Sequence, residues 1–371
     1  MPAIRYMIEG VLPLTLGFAL IVTVLWETFE TIILPRRVRR RFRLTRLYYR
    51  STWRPWSVLA SRVRSKSKRE TWLSFFGPLS LIGLLIIWAG ALVLGFALLH
   101  VGLGIRIRGQ DFGPDFETAI YLSASTFFTL GMGDVVPITW PERMVTVVEA
   151  GVGFGFLALV IGYLPVIYQS FSRREVIISM LDSRAGSPPT AIELLRRHAE
   201  TDSLDKVDEL LRDWEEWSAE LLESHLSYPV LAYFRSQHDN QSWLAALTTI
   251  LDASALVMAG VKGQSVRQAR LTFAMARHAV VDLSQVFNTR PDFDHSDRLH
   301  SADLLRLQAA LEAAGLDSED VDGQRLAHFR HMYEPYVHAL ARFLHMNLPP
   351  WIPTTSRKDN WQTTAWEEER E

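Results

Sequence analysis

The stretch Thr126-Phe-Phe-Thr-Leu-Gly-Met-Gly-Asp134 is the one whose residues, by kind and order, could set main-chain oxygens in a row. Two glycines one residue apart, after a threonine and before an aspartate, can line four backbone carbonyls and a hydroxyl along one axis. Such a line needs φ values at alternate residues that L-residues resist and glycine accepts. Glu149 is a lone acid at membrane depth. It reads either as a conduction residue or as a buried acid bonded to Ser or Thr of the preceding short helix. Further on, His328, His331, Glu334, His338 and His345 fall largely on one face of a single expected helix, Gly323–Met346. Glu334 and His338 have the i, i+4 spacing that can chelate zinc, and histidine titrates near neutral pH. His331, Glu334 and His338 are therefore the candidate metal or proton-sensing cluster, set against helix packing or a solvated face.

The elements around these groups are mostly apolar in the first half. Val11 to Leu34 is apolar apart from threonines, Glu27 and Glu30, and is long enough to span a bilayer. Heavy charge follows it and no small-residue cleavage site does, which argues against a secretory signal. Glu27 and Glu30 share a face, and either snorkel or pair with Arg36 and Arg37, or serve ion entry. Fourteen of the 39 Lys and Arg residues lie between Arg36 and Arg69. Mixed with Leu44, Leu47, Tyr48, Trp53 and Trp56, they suit an interfacial segment drawn to anionic lipid rather than to nucleic acid. By the positive-inside rule this segment is cytoplasmic and the N-terminus outside.

Thr71 to Ile105 holds no Asp, Glu, Lys or Arg, and only His100 is titratable, so it reads as a second span running outward. Pro114 to Phe128 reads as a helix too short to cross, with Asp115 and Glu117 at its positive end. A half-crossing helix ending in a glycine-rich loop is tolerated only where the loop is buried in protein or lines water. Glu142 to Ser172 is the third span, with Arg173 and Arg174 at its inner end and Pro165 expected to kink it.

Outer helix 71–105, pore helix 114–128, T-x-G-x-G-D loop 129–134 and inner helix 142–172 together resemble the two-helix-plus-pore-loop module of bacterial potassium channels, whose filter reads TVGYG. The resemblance implies that Thr129 gives a hydroxyl and a carbonyl to the innermost site. Leu130, Gly131 and Met132 would supply carbonyls above it, and Gly133 the turn at the outer mouth. It implies filter support from Asp134, Thr126 and Tyr121, and an inner-helix hinge and gate at Gly153 and Pro165. With one pore loop per chain, it implies a homotetramer and K⁺ as the permeant ion. The chain departs from the family at Met132, where an aromatic is usual, at Phe128, where a threonine is common, and in an aromatic cuff reduced to Tyr121 beside Leu122. These departures bear on selectivity more than on conduction, since the ion ligands are main-chain carbonyls.

Beyond Ser187-Pro-Pro189 the pattern is helical nearly throughout, with Leu204, Val207, Leu211, Trp214 and Leu221 as one apolar stripe. Arg173 to Ser187 reads as a linker, and Trp243–Gly260 as a buried helix or a further span. No cysteine is present, which excludes disulfides and Cys-ligated metal. No nucleophile elbow, H-E-x-x-H or phosphate loop occurs, and no G-x-G-x-x-G follows a strand, so neither an enzyme nor a dinucleotide sensor is expected, and no cofactor. The sequence thus describes an all-α membrane protein with three transmembrane helices, a re-entrant pore helix and filter, and an all-α cytoplasmic domain taking some ligand or regulator. Its expected divisions are an N-terminal transmembrane helix (1–35), a basic segment (36–70), a pore module (71–173), a helical cytoplasmic domain (174–353) and a mobile tail (354–371). The expected location is the bacterial inner membrane, multi-pass, with the C-terminus cytoplasmic.

Overall fold

Apolar runs bounded by charge dictate the first helices. In a computed structural model that describes residues 10–34, 43–104, 116–199, 205–238, 240–261, 266–300, 303–316, 321–352 and 359–362, they are α1 (Leu12–Thr28), continued by a π-turn (Phe29–Ile33), α2 (Leu44–Ser61), α3 (Lys66–Ser74), α4 (Phe76–Leu103), α5 (Phe116–Phe127) and α6 (Trp140–Ala185). There follow α7 (Ala191–Ala199), α8 (Asp205–Ser227), a 3-10 turn (Pro229–Tyr233), α9 (Trp243–Ala259), α10 (Val266–Val286), α11 (Leu304–Ala313), α12 (Gly323–His331) and α13 (Glu334–Leu344). A last 3-10 turn spans Asn360–Gln362. The described residues hold no strand, and three stretches, Leu12–Ile33, Lys66–Leu103 and Trp140–Ala185, are long and apolar enough to cross a membrane. The chain is an all-α membrane protein.

Two compact units emerge: residues 1–56 with 78–168, and residues 57–77 with 169–371. The first is built on Ile21 and Val24 of α1, Leu84, Leu85, Trp88, Leu92 and Phe96 of α4, and Phe127 of α5. Small residues let α1 and α4 approach closely: a Cβ on Gly17 would stand 2.5 Å from the Gly95 carbonyl. The start of α2 is pinned to α1, because Glu27 Oε2 accepts from the Thr45 amide (3.3 Å) and hydroxyl (3.1 Å). Glu30 accepts from Trp26 Nε1 at 2.7 Å and stands 4.0 Å from Arg43. Both acids are buried in these contacts, while Arg36 and Arg37 lie outside the described residues. Along α2, Thr45 and Trp53 are buried whereas Arg46, Leu47, Arg50 and Arg54 are exposed. Period 3.6 separates the two sets.

The second unit is organised on α9, every residue of which is buried. Ser242 caps it by accepting from the Ala245 amide, and Gly260 ends it at φ 136°. The apolar run 243–260 is therefore this unit's core helix, wrapped by α7, α8, α10 and α12.

Two expectations are corrected here. Arg173–Ser187 is not a linker, because α6 runs on to Ala185. The two arginines mark a change in burial pattern, not a helix end. From there Arg174, Ile178, Leu181 and Ala185 form a buried stripe at helical spacing. The expected helix Gly323–Met346 is two helices, broken at Met332–Tyr333. Pro335 near the start of α13 explains the break, since its ring excludes a helix running through residue 331. Of the stretch 354–371, read from the sequence as a mobile tail, the structure describes Asp359–Gln362, which contact the second unit. Asp359 pairs with Arg197 (2.8 Å), and Asn360 donates to Asp182 Oδ1 (3.2 Å). Residues 353–358 and 363–371 lie outside the described set.

Candidate ion-conduction site

The helix α5 starts at Phe116, Pro114 and Asp115 lying outside the described residues, and it ends at Phe127. Its carbonyls then suspend the loop. The amide of Phe128 donates to Ala124 O (3.0 Å), Thr129 to Thr126 O (3.0 Å), and Leu130 and Gly131 to Ser125 O (2.8 and 3.4 Å). With those amides turned back to the helix, Thr129, Gly131 and Gly133 all adopt positive φ, at 56°, 56° and 79°. The alternation is regular. Glycine bears it at no steric cost, but Thr129 is β-branched and bears it only because its surroundings impose it.

At the loop's C-terminal end Tyr121 hydrogen-bonds the Asp134 carboxylate, and Leu122, buried one residue on, packs on Val135. Within one chain Phe128, Leu130 and Met132 are exposed, at 64%, 63% and 67%. At the loop's N-terminal end Phe127 is buried with its ring 5.8 Å from that of Phe156 on α6. Gly153 fits beneath it: a Cβ there would stand 2.2 Å from the Phe127 carbonyl oxygen. Pro165 is exposed and α6 continues through it.

Glu149 is fully buried against the flank of α5. Its Oε1 meets the Ser123 hydroxyl, and its Oε2 lies 3.1 Å from Nε2 of His100 on α4. The Ser123 hydroxyl also reaches Val93 O at 2.7 Å. The structure thus gives Glu149 the placement of a buried acid bonded to α5, the half-length helix. It adds His100, which the sequence marked only as the lone titratable residue of its span; an ionisable group inside an apolar run was itself the signal.

Comparison with known proteins now bears on this geometry. Residues 83–169 match the family model described as an ion channel. The matched segment covers α5, the loop and most of the apolar parts of α4 and α6. The chain is also 23% identical over 194 residues to YdjJ, an uncharacterized membrane protein of Bacillus subtilis (strain 168). That similarity covers 52% of this chain and 56% of the relative, so only about half of the relative's length is spanned. No solved structure matches the chain.

In the second unit the candidate metal cluster does not form. Glu334 is taken by Arg330 (3.1 and 3.0 Å), Arg298 (3.4 Å) and Trp351 Nε1 (3.3 Å). The His331 ring lies against Phe293, and His338 stacks on His295 with centroids 4.1 Å apart. Burial, with His295 and Arg298 nearby, pushes His338 down to about 4. Among the described residues no three His, Cys, Asp or Glu side chains stand together as metal ligands. The reason is that each candidate side chain already has another partner: Glu334 the two guanidinium groups and the indole, His331 the Phe293 ring, and His338 the His295 ring.

A residue that the sequence marked only as the end of the third span anchors α6. Arg174 is buried and donates to Leu231 O (2.9 Å) and Phe234 O (2.8 Å), with His225 Nε2 at 3.2 Å. Trp217 Nε1 donates back to the Arg174 carbonyl at 3.4 Å. Burial, and then the guanidinium, depress the His225 pKa far below the usual imidazole value. The same turn also meets the base of α4, where Phe76 packs on Tyr233 with centroids 5.1 Å apart.

Proposed function

We propose that four copies of this chain surround one axis and pass potassium ions passively across the bacterial inner membrane. The observation that carries this reading is the alternation of positive φ at Thr129, Gly131 and Gly133, on a loop hung from a half-length helix. Backbone in that alternation can turn successive carbonyls to one side, as a row of ligands replacing a cation's hydration shell requires. One chain has one loop, and the exposed Phe128, Leu130 and Met132 suit burial by neighbouring copies. In this reading Thr129 to Gly133 coordinate K⁺, while Asp134, Thr126 and Tyr121 support them. Gating lies along α6 around Gly153 and Pro165. The helical second unit is cytoplasmic and couples a ligand or regulator to α6 through Arg174. The N-terminus is outside, and the basic segment 36–69 lies on anionic lipid.

The test is flux into liposomes holding the purified full chain, under K⁺ or Na⁺ gradients, beside Gly131→Ala. An alanine at φ 56° is strained whatever space surrounds it. K⁺-driven flux abolished by this substitution is the expected result. Equal Na⁺ and K⁺ flux would favour a weakly selective cation channel, a reading that Met132 in place of an aromatic motivates. Absence of flux would shift weight to a membrane-anchored sensor with a non-conducting pore.

A further inference from the structure

The inner helix holds the pore helix at two points, both spaced one helical turn. Gly153 seats the carbonyl of Phe127, and four residues earlier Glu149 bonds Ser123, itself four residues before Phe127. The first contact is steric and the second directional. His100 makes the second a three-helix junction, since it approaches Glu149 from α4 while Ser123 also reaches Val93 O on that helix. All three side chains are 0% exposed. His100 and Ser123 are the polar side chains that meet Glu149 here.

We propose that Glu149 is a positioning residue for the filter: through Ser123, and oriented by His100, it fixes the height and rotation of α5 and thereby ion selectivity. Ser123 stands two residues before Ser125, whose carbonyl holds the Leu130 and Gly131 amides. A small shift or turn of α5 therefore moves the very carbonyls from which the loop hangs. Packing alone tolerates such a shift, whereas a hydrogen bond does not.

The hydrogens can be counted. A serine hydroxyl has one hydrogen, and here two acceptors lie in reach, Val93 O and Glu149 Oε1. Either that hydrogen is shared between the two, or each contact is a full two-centre hydrogen bond with Glu149 supplying a hydrogen of its own as a neutral acid. His100 Nε2–H then donates to Oε2. A glutamine reproduces this pattern, its NH₂ donating to Ser123 and its carbonyl accepting from His100. A leucine of similar size cannot.

This inference rests on the conduction reading, so its test carries a readout independent of flux. Wild type, Glu149→Gln, Glu149→Leu and Ser123→Ala full-length proteins are compared in liposomes. One readout is hydrogen exchange of the Phe116–Phe127 amides, the other the K⁺/Na⁺ flux ratio. Glu149→Leu and Ser123→Ala should each speed exchange, and lower the ratio, by on the order of tenfold, as loss of one buried hydrogen bond implies. Glu149→Gln should stay within about twofold of wild type on both. Should Glu149→Leu fail to assemble, Ser123→Ala, which removes a single oxygen, decides. Wild-type exchange and ratio in Ser123→Ala, or Gln as damaging as Leu, would overturn the proposal. Faster exchange in the Leu and Ala variants with no flux in any protein would instead sink the conduction reading and leave the junction standing.

Discussion

Gly153 has no side chain because the carbonyl of Phe127 occupies the space: a Cβ there would come within 2.2 Å of that oxygen. A non-bonded carbon and oxygen do not come that close, so a substitution must part α6 from the end of α5. The glycine thus has a packing cause apart from any hinge. Gly151 and Gly155, on either side of it, have open space within the chain.

That contrast gives the first prediction. Gly153→Ala should lower the melting temperature of the purified protein and abolish flux, because the displaced residue is the one from which the loop departs. Overpacking of this kind typically costs about 1–3 kcal/mol. Gly151→Ala should be neutral or gain up to about 1 kcal/mol from helix propensity. Equal losses at both positions would mean that the Phe127 contact is not what requires glycine.

The loop, its half-length helix and the three spans were legible because each is written in local composition: glycine at alternate positions, and long apolar runs bounded by charge. The Glu149–Ser123 bond was half legible. A buried acid in a span announces a need for partners, but which residues meet it depends on helix rotation. The length of α6 was not legible, since Arg173 and Arg174 read as a membrane boundary. Only the tertiary burial of Arg174 and Ile178 reveals a stripe that continues beyond it. The histidine cluster misled for a different reason: a helical projection across Pro335 assumes a continuous helix that proline forbids.

The second unit should lose stability in acid through His225. Its folded pKa lies far below its usual value, so above about 6.5 the imidazole is neutral in both folded and unfolded chains. As pH falls below that, the unfolded chain binds a proton that the folded one refuses, and stability drops by up to about 1.4 kcal/mol per pH unit. His225→Gln keeps an acceptor for Arg174 and removes the titration. Its melting temperature should therefore fall less than wild type between neutral pH and about 5. Parallel curves would show that His225 titrates freely in the folded protein.

A buried charge network makes the third prediction. Arg298 pairs with Asp252, which also accepts from Tyr333, and stands 3.4 Å from Glu334. Burial already raises Asp252 to about 6 against the pull of Arg298. Arg298→Met leaves Asp252 and Glu334 without that cation and should cost about 3–5 kcal/mol at neutral pH. A raised folded pKa means stability present at low pH and lost as pH rises through it. The deficit of Arg298→Met should accordingly shrink on acidification towards about pH 5, and Asp252→Leu in the same chain should recover part of it. A deficit independent of pH and unrelieved by the second substitution would place the cost in lost packing over Trp351, which Arg298 overlies at 5.5 Å.

The segment Asp359–Gln362 is held at the C-terminal end of α6. Asp182 accepts from Gln241, from the Asn360 side chain and from the Trp361 amide, while Asp359 receives both guanidinium nitrogens of Arg197 at 2.8 and 3.2 Å. Asp359 is nearly buried, whereas Arg197 is partly exposed, so the pair contributes about 1 kcal/mol. Asp359→Ala should therefore release the segment without unfolding the unit. Limited proteolysis would cut after Trp361 several-fold faster, while the melting temperature moves little. Because Arg197 also donates to the Ser183 carbonyl at 2.8 Å, Arg197→Ala should do both: expose the segment and loosen the last turn of α6. Hydrogen exchange at residues 182–186 separates the two variants, rising in Arg197→Ala and unchanged in Asp359→Ala. Equal exchange in both would mean that the tail itself, and not Arg197, secures the helix end.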